Sequence, residues 1–296
     1  MIENINKAAM WLGVRLAVIP IEALEDVKAS LAVLAKENEL NSLQQRIINQ
    51  RYVLDINDRM VKSIVVAAWK MRHNRLVFNY AGKKVSCIVD DSFSGPGVTQ
   101  RLLIEIFENA RFTLEYTHWL PQKHLAVRSG LCTYGRNNLA YCDDWGSFVR
   151  IETYVSDIVK KDYPWRDLTS MSLCQTCGKC IAACPTGAIM PDRFLLDNEK
   201  CLGLHNKEDD MPAWIASTAH NAIVGCYHCQ TVCPANKKRF DTIEEIVFDE
   251  NETQMLLNSS NFIDLPDNMR KKLWHFDTGR EHKFFARNLR LMLDNA

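Results

Sequence analysis

The chain lacks any uninterrupted hydrophobic run of bilayer length, any excess of charge of one sign, and any repeat beyond two related cysteine sets. The first absence removes a membrane span from the expectations. The apolar stretch Ala8 to Pro20 is broken by Arg15, follows Glu3, and leads to no small-residue cleavage site, so it reads as neither an export signal nor an anchor. No twin-arginine pair stands near the start. The expected compartment is therefore the cytoplasm. The second absence is arithmetic: Lys plus Arg and Asp plus Glu both number 36, so no global field draws in nucleic acid or an anionic membrane. Glycine and proline are also sparse, at 12 and 9 residues in 296, which excludes collagen-like and low-complexity chains. The length fits about two domains at roughly 150 residues each.

Cysteine is what the chain has in plenty. Eleven in a reducing compartment, an odd number, argue against a disulfide framework and for metal. The first set reads Cys174-Gln-Thr-Cys177-Gly-Lys-Cys180-Ile-Ala-Ala-Cys184-Pro185, the C-x2-C-x2-C-x3-C-P run of bacterial ferredoxins. Three closely spaced thiolates wrap one corner of a cubane, and the fourth is carried off to a second cluster. The second set is Cys226-Tyr-His-Cys229-Gln-Thr-Val-Cys233-Pro234, with Cys201 displaced upstream by an insertion from Leu202 to Gly225. The crossover rule then gives Cys174, Cys177, Cys180 and Cys233 to one [4Fe-4S] cluster and Cys201, Cys226, Cys229 and Cys184 to the other. The competing assignment is a pair of four-thiolate zinc sites, which normally show paired C-x2-C knuckles instead. Of the remaining three, Cys87, Cys132 and Cys142 read as small buried hydrophobes, with a place in the lining of a cofactor pocket as the alternative for Cys132.

Periodicity predicts a helix over Ile21 to Glu37 and another over Asn41 to Leu54, a strand over Lys62 to Trp69, and a hairpin formed by Arg75 to Tyr80 and Val85 to Asp90. A helix follows over Pro96 to Phe112, then short strands over Thr113 to Leu120, Asn138 to Cys142 and Ser147 to Val155. The fold class is α+β: a mixed α/β domain over residues 1–165, a ferredoxin-like double-cluster domain over 166–240, and a helical extension over 241–296. Leu273-Trp-His-Phe276 and Phe284-Phe285 suit an extension that packs back on the body.

The block Arg128-Ser-Gly-Leu-Cys-Thr-Tyr-Gly135-Arg136-Asn137-Asn138-Leu139, the pair Gly146-Ser147 and the cysteine sets together resemble the epoxyqueuosine reductases and their relatives, the reductive dehalogenases. Gly225 to Asn236, including Gln230, is similar to the second motif of the former, and Ser63 to Trp69 resembles their first core strand. The likeness runs over roughly residues 60 to 240. It implies a base-off cobalamin, reduced through the clusters and reacting with an electrophilic substrate, and reduced ferredoxin or flavodoxin as electron donor. It also implies a cofactor pocket at Gly130, Gly135, Arg136, Asn137 and Asn138. The family's Asp proton donor falls here at Tyr116, as a phenol whose pKa a neighbouring cation would lower; Glu115 and His118 are its neighbours. An aromatic that merely packs on a strand is the alternative for Tyr116. The helical repeats that hold tRNA in the longer members find no match after residue 240, which favours a small-molecule substrate. An electron-transfer protein without cobalamin and a tRNA epoxyqueuosine reductase remain as other readings.

The ligand assignment makes a direct prediction. Cys177→Ser should lose one cluster, about four of eight irons, whereas Cys87→Ser should leave iron unchanged; iron analysis of anaerobically purified variants checks it.

Overall fold

The computed structural model describes residues 2–37, 39–50, 52, 54, 56, 59–90, 96–117, 120–163, 165–237, 244–273 and 278–296. In chain order the elements are α1 (Ile2–Trp11), β1 (Val14–Pro20), α2 (Ala23–Glu37), α3 (Ser42–Ile48), β2 (Ser63–Lys70), β3 (His73–Tyr80) and β4 (Lys83–Asp90). Next come α4 (Pro96–Asn109), β5 (Leu114–Thr117), α5 (Gln122–Arg128), β6 (Thr133–Tyr134), β7 (Ala140–Tyr141) and β8 (Val149–Ser156). The cysteine region supplies three short helices, α6 (Lys179–Ala183), α7 (Leu202–His205) and α8 (His228–Thr231). The chain closes with β9 (Glu244–Phe248), α9 (Glu250–Asn258), α10 (Asp267–Leu273) and α11 (Thr278–Asp294). Among the described residues no helix is long and apolar enough to cross a membrane.

Two compact units result, and they are not consecutive segments. The first comprises Met1–Lys70, Gly97–Gly178 and Pro191–Leu196; the second comprises Met71–Pro96, Lys179–Met190 and Asp197–Ala296. The sequence reading divided the chain at 165/166 and 240/241, whereas here the β3–β4 hairpin leaves the N-terminal region and joins the C-terminal one. The reason is pairing: β3 has β4 antiparallel on one side and β9 parallel on the other, with Leu76 opposite Ile246 and Phe78 opposite Phe248.

The first unit is an antiparallel sheet in the order β1-β2-β8-β5. Its central strand β2 is buried from Ser63 to Trp69, and the two-residue period divides its side chains between two cores. Ile64, Val66 and Ala68 pack with Leu24 and Val27 of α2 and with Leu125 to Val127 of α5. Val65, Ala67 and Trp69 pack with Ile5 and Ala9 of α1 and with Leu103 and Phe107 of α4. A strand covered on both faces reads as a continuous apolar run, which is what Ser63 to Trp69 is. The Ala8 to Pro20 stretch, expected only to be something other than a signal or a span, supplies the end of α1 and the whole of β1. Helix α3 is shorter than the predicted Asn41 to Leu54. Asn41 starts it through a capping box with Gln44.

In the second unit Phe78 stacks on Phe248 with ring centres 5.0 Å apart, and Phe285 of α11 meets Phe78 edge-on at 6.0 Å. The sequence predicts a wholly helical extension over 241–296. Strand β9 corrects it: only Ile246 and Phe248 of its five residues are buried, a period of two too brief to stand out between helical segments. Helix α11 fastens this unit. Its buried Asn288 donates through Nδ2 to the carbonyls of Asn206 (2.8 Å) and Ile223 (2.7 Å), and Arg287 donates to those of Asn206, Glu208 and Asp209. Leu273, Phe284 and Phe285 are buried, while Trp274 to Phe276 lie outside the described residues.

Asn288→Ala leaves the buried Ile223 carbonyl without that donor and should cost about 2 kcal/mol, read as a lowered thermal midpoint with both clusters retained.

Candidate metal centre

The segment that leads into the first cysteine motif is laid against the β6–β7 hairpin by backbone pairing. Tyr134 of β6 donates its amide to Thr169 (2.8 Å) and accepts from that of Met171 (2.8 Å), so the chain enters a short 3-10 turn, Ser172–Cys174, in a fixed direction. Arg136 then holds Cys174 at several atoms. Its amide donates to the Cys174 Sγ at 3.4 Å, its Nε and Nη2 donate to the Cys174 carbonyl at 3.2 and 2.8 Å, and its Nη1 donates to the Pro191 carbonyl at 3.1 Å. A cavity of about 290 Å³ opens beside them, lined by Arg136, Met171, Cys174, Gln175, Arg193 and Phe194 among others. Cys177 belongs to the same unit, next to Gly178 at the end of its second segment.

The second unit holds the other six motif cysteines. Cys180 lies on α6, with Cys184 just past its end, and α6 packs against α8, which carries Cys229. Burial pushes the Cys184 thiol up, but the Thr186 hydroxyl and the amides of Thr186, Ala188 and Ile189 donate to it and bring the net shift below the ordinary value. Burial carries Cys226 up to about 11; the His228 amide opposes this, and the neighbouring Cys201 and Cys184 sulfurs reinforce it. The structure thus brings Cys184 of the first motif to Cys201 and Cys226 of the second. Amides aimed at sulfur are what an anionic iron-sulfur centre requires of its surroundings, so these residues fit such a cluster. Among the described residues no three His, Cys, Asp or Glu side chains sit at the spacing of a single bound ion.

Side chains that the sequence reading passed over fix this region. Asn206, inside the insertion, accepts from the Gly225 amide at 3.1 Å and donates to the Gly225 carbonyl, holding the residue before Cys226 at its φ of 73°. Tyr227 donates its hydroxyl to Asp90 of β4 at 2.5 Å, and His73 Nε2 lies 3.0 Å from the same carboxylate oxygen. Asn236 donates to the Gln230 carbonyl at 3.0 Å. Only Gln230 and Asn236 carried a signal beforehand, through the likeness of Gly225 to Asn236 to the family motif.

The five nominated cofactor residues are engaged with protein. Asn137 is buried and donates to the Tyr141 hydroxyl at 3.0 Å. Asn138 takes the left-handed conformation, φ 59°, and its carbonyl accepts from Lys123 at 2.9 Å. Gly135 is required by contact: a Cβ there would overlap the Tyr141 ring and stand 2.7 Å from Asn137 Oδ1. Gly130, at φ 81°, is covered by the Arg166 guanidinium. Arg136 is committed to Cys174 and Pro191. Together these contacts brace the hairpin that holds Cys174.

Tyr116 lies elsewhere. It pairs with Tyr154 across β5 and β8, their rings edge-on at 5.7 Å, and Tyr154 packs in the core shared with α1 and α4 rather than the one shared with the 130–138 loop. Beneath it is a group sequence reasoning missed. Glu152, fully buried, accepts from Tyr154 (2.8 Å), Gln100 (2.8 Å) and Arg150 (3.2 Å). The expected lowering of the Tyr116 pKa is therefore corrected. Burial raises it and the Glu152 charge adds to the rise, while Arg150 and a hydrogen bond with Gln122 only partly offset it. Glu115 neighbours it on β5; His118 lies outside the described residues.

Comparison with known proteins agrees with this picture. Residues 173–236 match the family described as a 4Fe-4S double cluster binding domain. The epoxyqueuosine reductase of Synechocystis sp. is 32% identical over 136 residues, 45% of this chain and 45% of the relative; that of Listeria monocytogenes is 31% identical over 142 residues, 47% of this chain and 36% of the relative. The sequence match thus spans less than half of each relative's length. Among solved structures, a selenomethionine-labelled epoxyqueuosine reductase aligns with 99% of this chain and 81% of its own at a TM-score of 0.68 and 22% identity. The Bacillus subtilis enzyme aligns over the same shares at 0.64. A third, solved with an epoxyqueuosine-modified tRNA stem loop, covers 99% of this chain and 80% of its own at 0.66 and 21% identity. The resemblance read from the sequence holds: the chain is related to the epoxyqueuosine reductases, carries a double-cluster domain and shares their fold.

Arg136→Ala removes the guanidinium from the Cys174 carbonyl while leaving the backbone amide. One cluster should then lose iron to a chelator several-fold faster than in the parent and the other at the parental rate, followed by the decay of each cluster's signal in the reduced protein.

Proposed function

We propose that this chain is an iron-sulfur reductase on the pattern of the epoxyqueuosine reductases, in which two [4Fe-4S] clusters relay single electrons to an electrophilic small-molecule substrate. The observation that carries the proposal is the Arg136 clamp on Cys174, because it ties the family's loop to a cluster cysteine within one unit. An independent ferredoxin module would have no need of that tie. Cys174, Cys177, Cys180 and Cys233 are assigned to one cluster and Cys201, Cys226, Cys229 and Cys184 to the other, and the company that Cys184 keeps with Cys201 and Cys226 supports the second set. Electrons enter from reduced ferredoxin or flavodoxin in the cytoplasm.

Cobalamin is carried here by likeness to the family, and when bound it supplies a metal that accepts electrons singly and meets the substrate as a nucleophile. Tyr116 is assigned the proton. Its raised pKa keeps the phenol protonated through neutral and mildly alkaline pH, the state an acid must be in before it donates. Its ring is held by Tyr154 while its side chain stays partly exposed. A second reading, an RNA substrate, is favoured by the tRNA stem loop in one structural relative.

The test begins with protein purified without oxygen from cobalamin-fed cells. About eight irons with one cobalt, and chemically reduced protein that consumes a model epoxide, is the result expected. Eight irons with no cobalt and no epoxide turnover overturns the reductase in favour of an electron carrier. Turnover only of an epoxyqueuosine stem loop, weakened by salt, establishes the second reading instead. Tyr116→Phe should keep iron and any cobalt but lose turnover, and the parent's rate should fall with pH only above the ordinary tyrosine range.

A further inference from the structure

Cys132 and Cys142 lie outside both cluster sets, and the hairpin brings them together. The β6–β7 ladder pairs Thr133 with Tyr141 and Tyr134 with Ala140, so the next rung outward sets Cys132 opposite Cys142. The phase of that ladder is fixed by its bonds. Gly135 donates to Leu139 at 2.8 Å, whereas the amides of Tyr134, Cys132 and Cys142 turn away, to Thr169, Ala126 and Gly146. Hydrogen-bonded and non-bonded rungs alternate, which makes 132/142 a non-bonded rung. There, opposing Cα atoms approach to about 4.5 Å, within the roughly 4.4–6.8 Å that a disulfide spans. The two Sγ atoms are 3.3 Å apart and both residues are buried, and the Cys142 thiol lies 3.1 Å from the Leu131 carbonyl.

We propose that Cys132 and Cys142 form a redox-active dithiol that a hydroperoxide converts into a disulfide. Cys142 is the attacking sulfur. The hydrogen bond from Cys132 pulls its thiol below the ordinary value, with help from Arg15, which stacks over Trp145 at 4.4 Å and pairs with Asp144, and against burial and the Asp143 and Asp144 charges; the same hydrogen bond, and then burial, push Cys132 the other way. In the first step the Cys142 thiolate attacks the peroxide oxygen, the O–O bond breaks, and hydroxide or alkoxide leaves and takes up the proton that the thiol gave up. In the second, the Cys132 sulfur attacks the Cys142 sulfenic acid, the S–O bond breaks, and the Cys132 proton departs with that oxygen as water. Two sulfurs lose two electrons in all, and the peroxide gains them. The new bond closes the hairpin whose tip carries Arg136, so oxidation would lock the clamp on Cys174.

The experiment uses the full chain with its clusters loaded. One equivalent of hydrogen peroxide is added without oxygen, the protein is quenched in acid and alkylated, and its peptides are mapped. A linked Cys132–Cys142 peptide should appear, ahead of any modification of Cys87, and vanish on treatment with a dithiol. Cys132→Ser should instead leave Cys142 as a sulfenic acid trapped by dimedone, and Cys142→Ser should leave neither product. Recovery of both residues as alkylated thiols in the parent protein overturns the proposal, as does linkage of either one mainly to cluster cysteines; neither outcome depends on a variant folding.

Discussion

A thiolate taken out of water needs donors aimed at it, and much of this molecule is arranged to supply them. Unpaired, a buried anion is costly; met by amides, it becomes a stable ligand. Cys174 receives the Arg136 amide, Cys184 those of Thr186, Ala188 and Ile189, and Cys226 that of His228. Amides can be aimed only by fixing backbone, so the constraint spreads outward into turns, caps and clamps.

In the first unit it passes through the hairpin. Gly135 has no Cβ because Tyr141 occupies that space, Asn137 holds the Tyr141 hydroxyl, and Tyr134 pairs with the segment that leads into Cys174. The hairpin rests on the face of the sheet covered by α2 and α5, so the rigidity of a doubly packed strand reaches a single sulfur. In the second unit the same work falls to Asn206 on Gly225 and to α11, whose Arg287 and Asn288 grip the insertion. For the proposed electron relay this rigidity has a use, because donors to sulfur and burial set the potential of a cluster.

The sequence was readable wherever chemistry is written into spacing or burial into a long period. The C-x2-C-x2-C-x3-C-P run, the β3–β4 hairpin around Ala81 to Lys84, and the buried strand β2 all had such signals. Where two distant segments had to meet, the signals failed. Strand β9 is five residues long and takes its identity from β3, a partner more than 150 positions away. Glu152 looked like an ordinary polar residue in a strand, yet three side chains surround it. Tyr116 was expected beside a cation, and the nearer influences are burial and that hidden carboxylate.

The sequence by itself determined that this is an α+β chain holding two iron-sulfur clusters, because thiolate number and spacing are local properties that no distant contact can alter. It also carried the family likeness in the Ser129 to Leu139 block. Only the tertiary structure decided that this block clamps Cys174, that Cys184 and Cys201 lie near enough to Cys226 to raise its thiol, that the hairpin of residues 71–96 belongs with the C-terminal unit, and that Cys132 faces Cys142. Each of those depends on strand register and on which backbone groups remain free to donate, and both are fixed only when the chain has closed on itself.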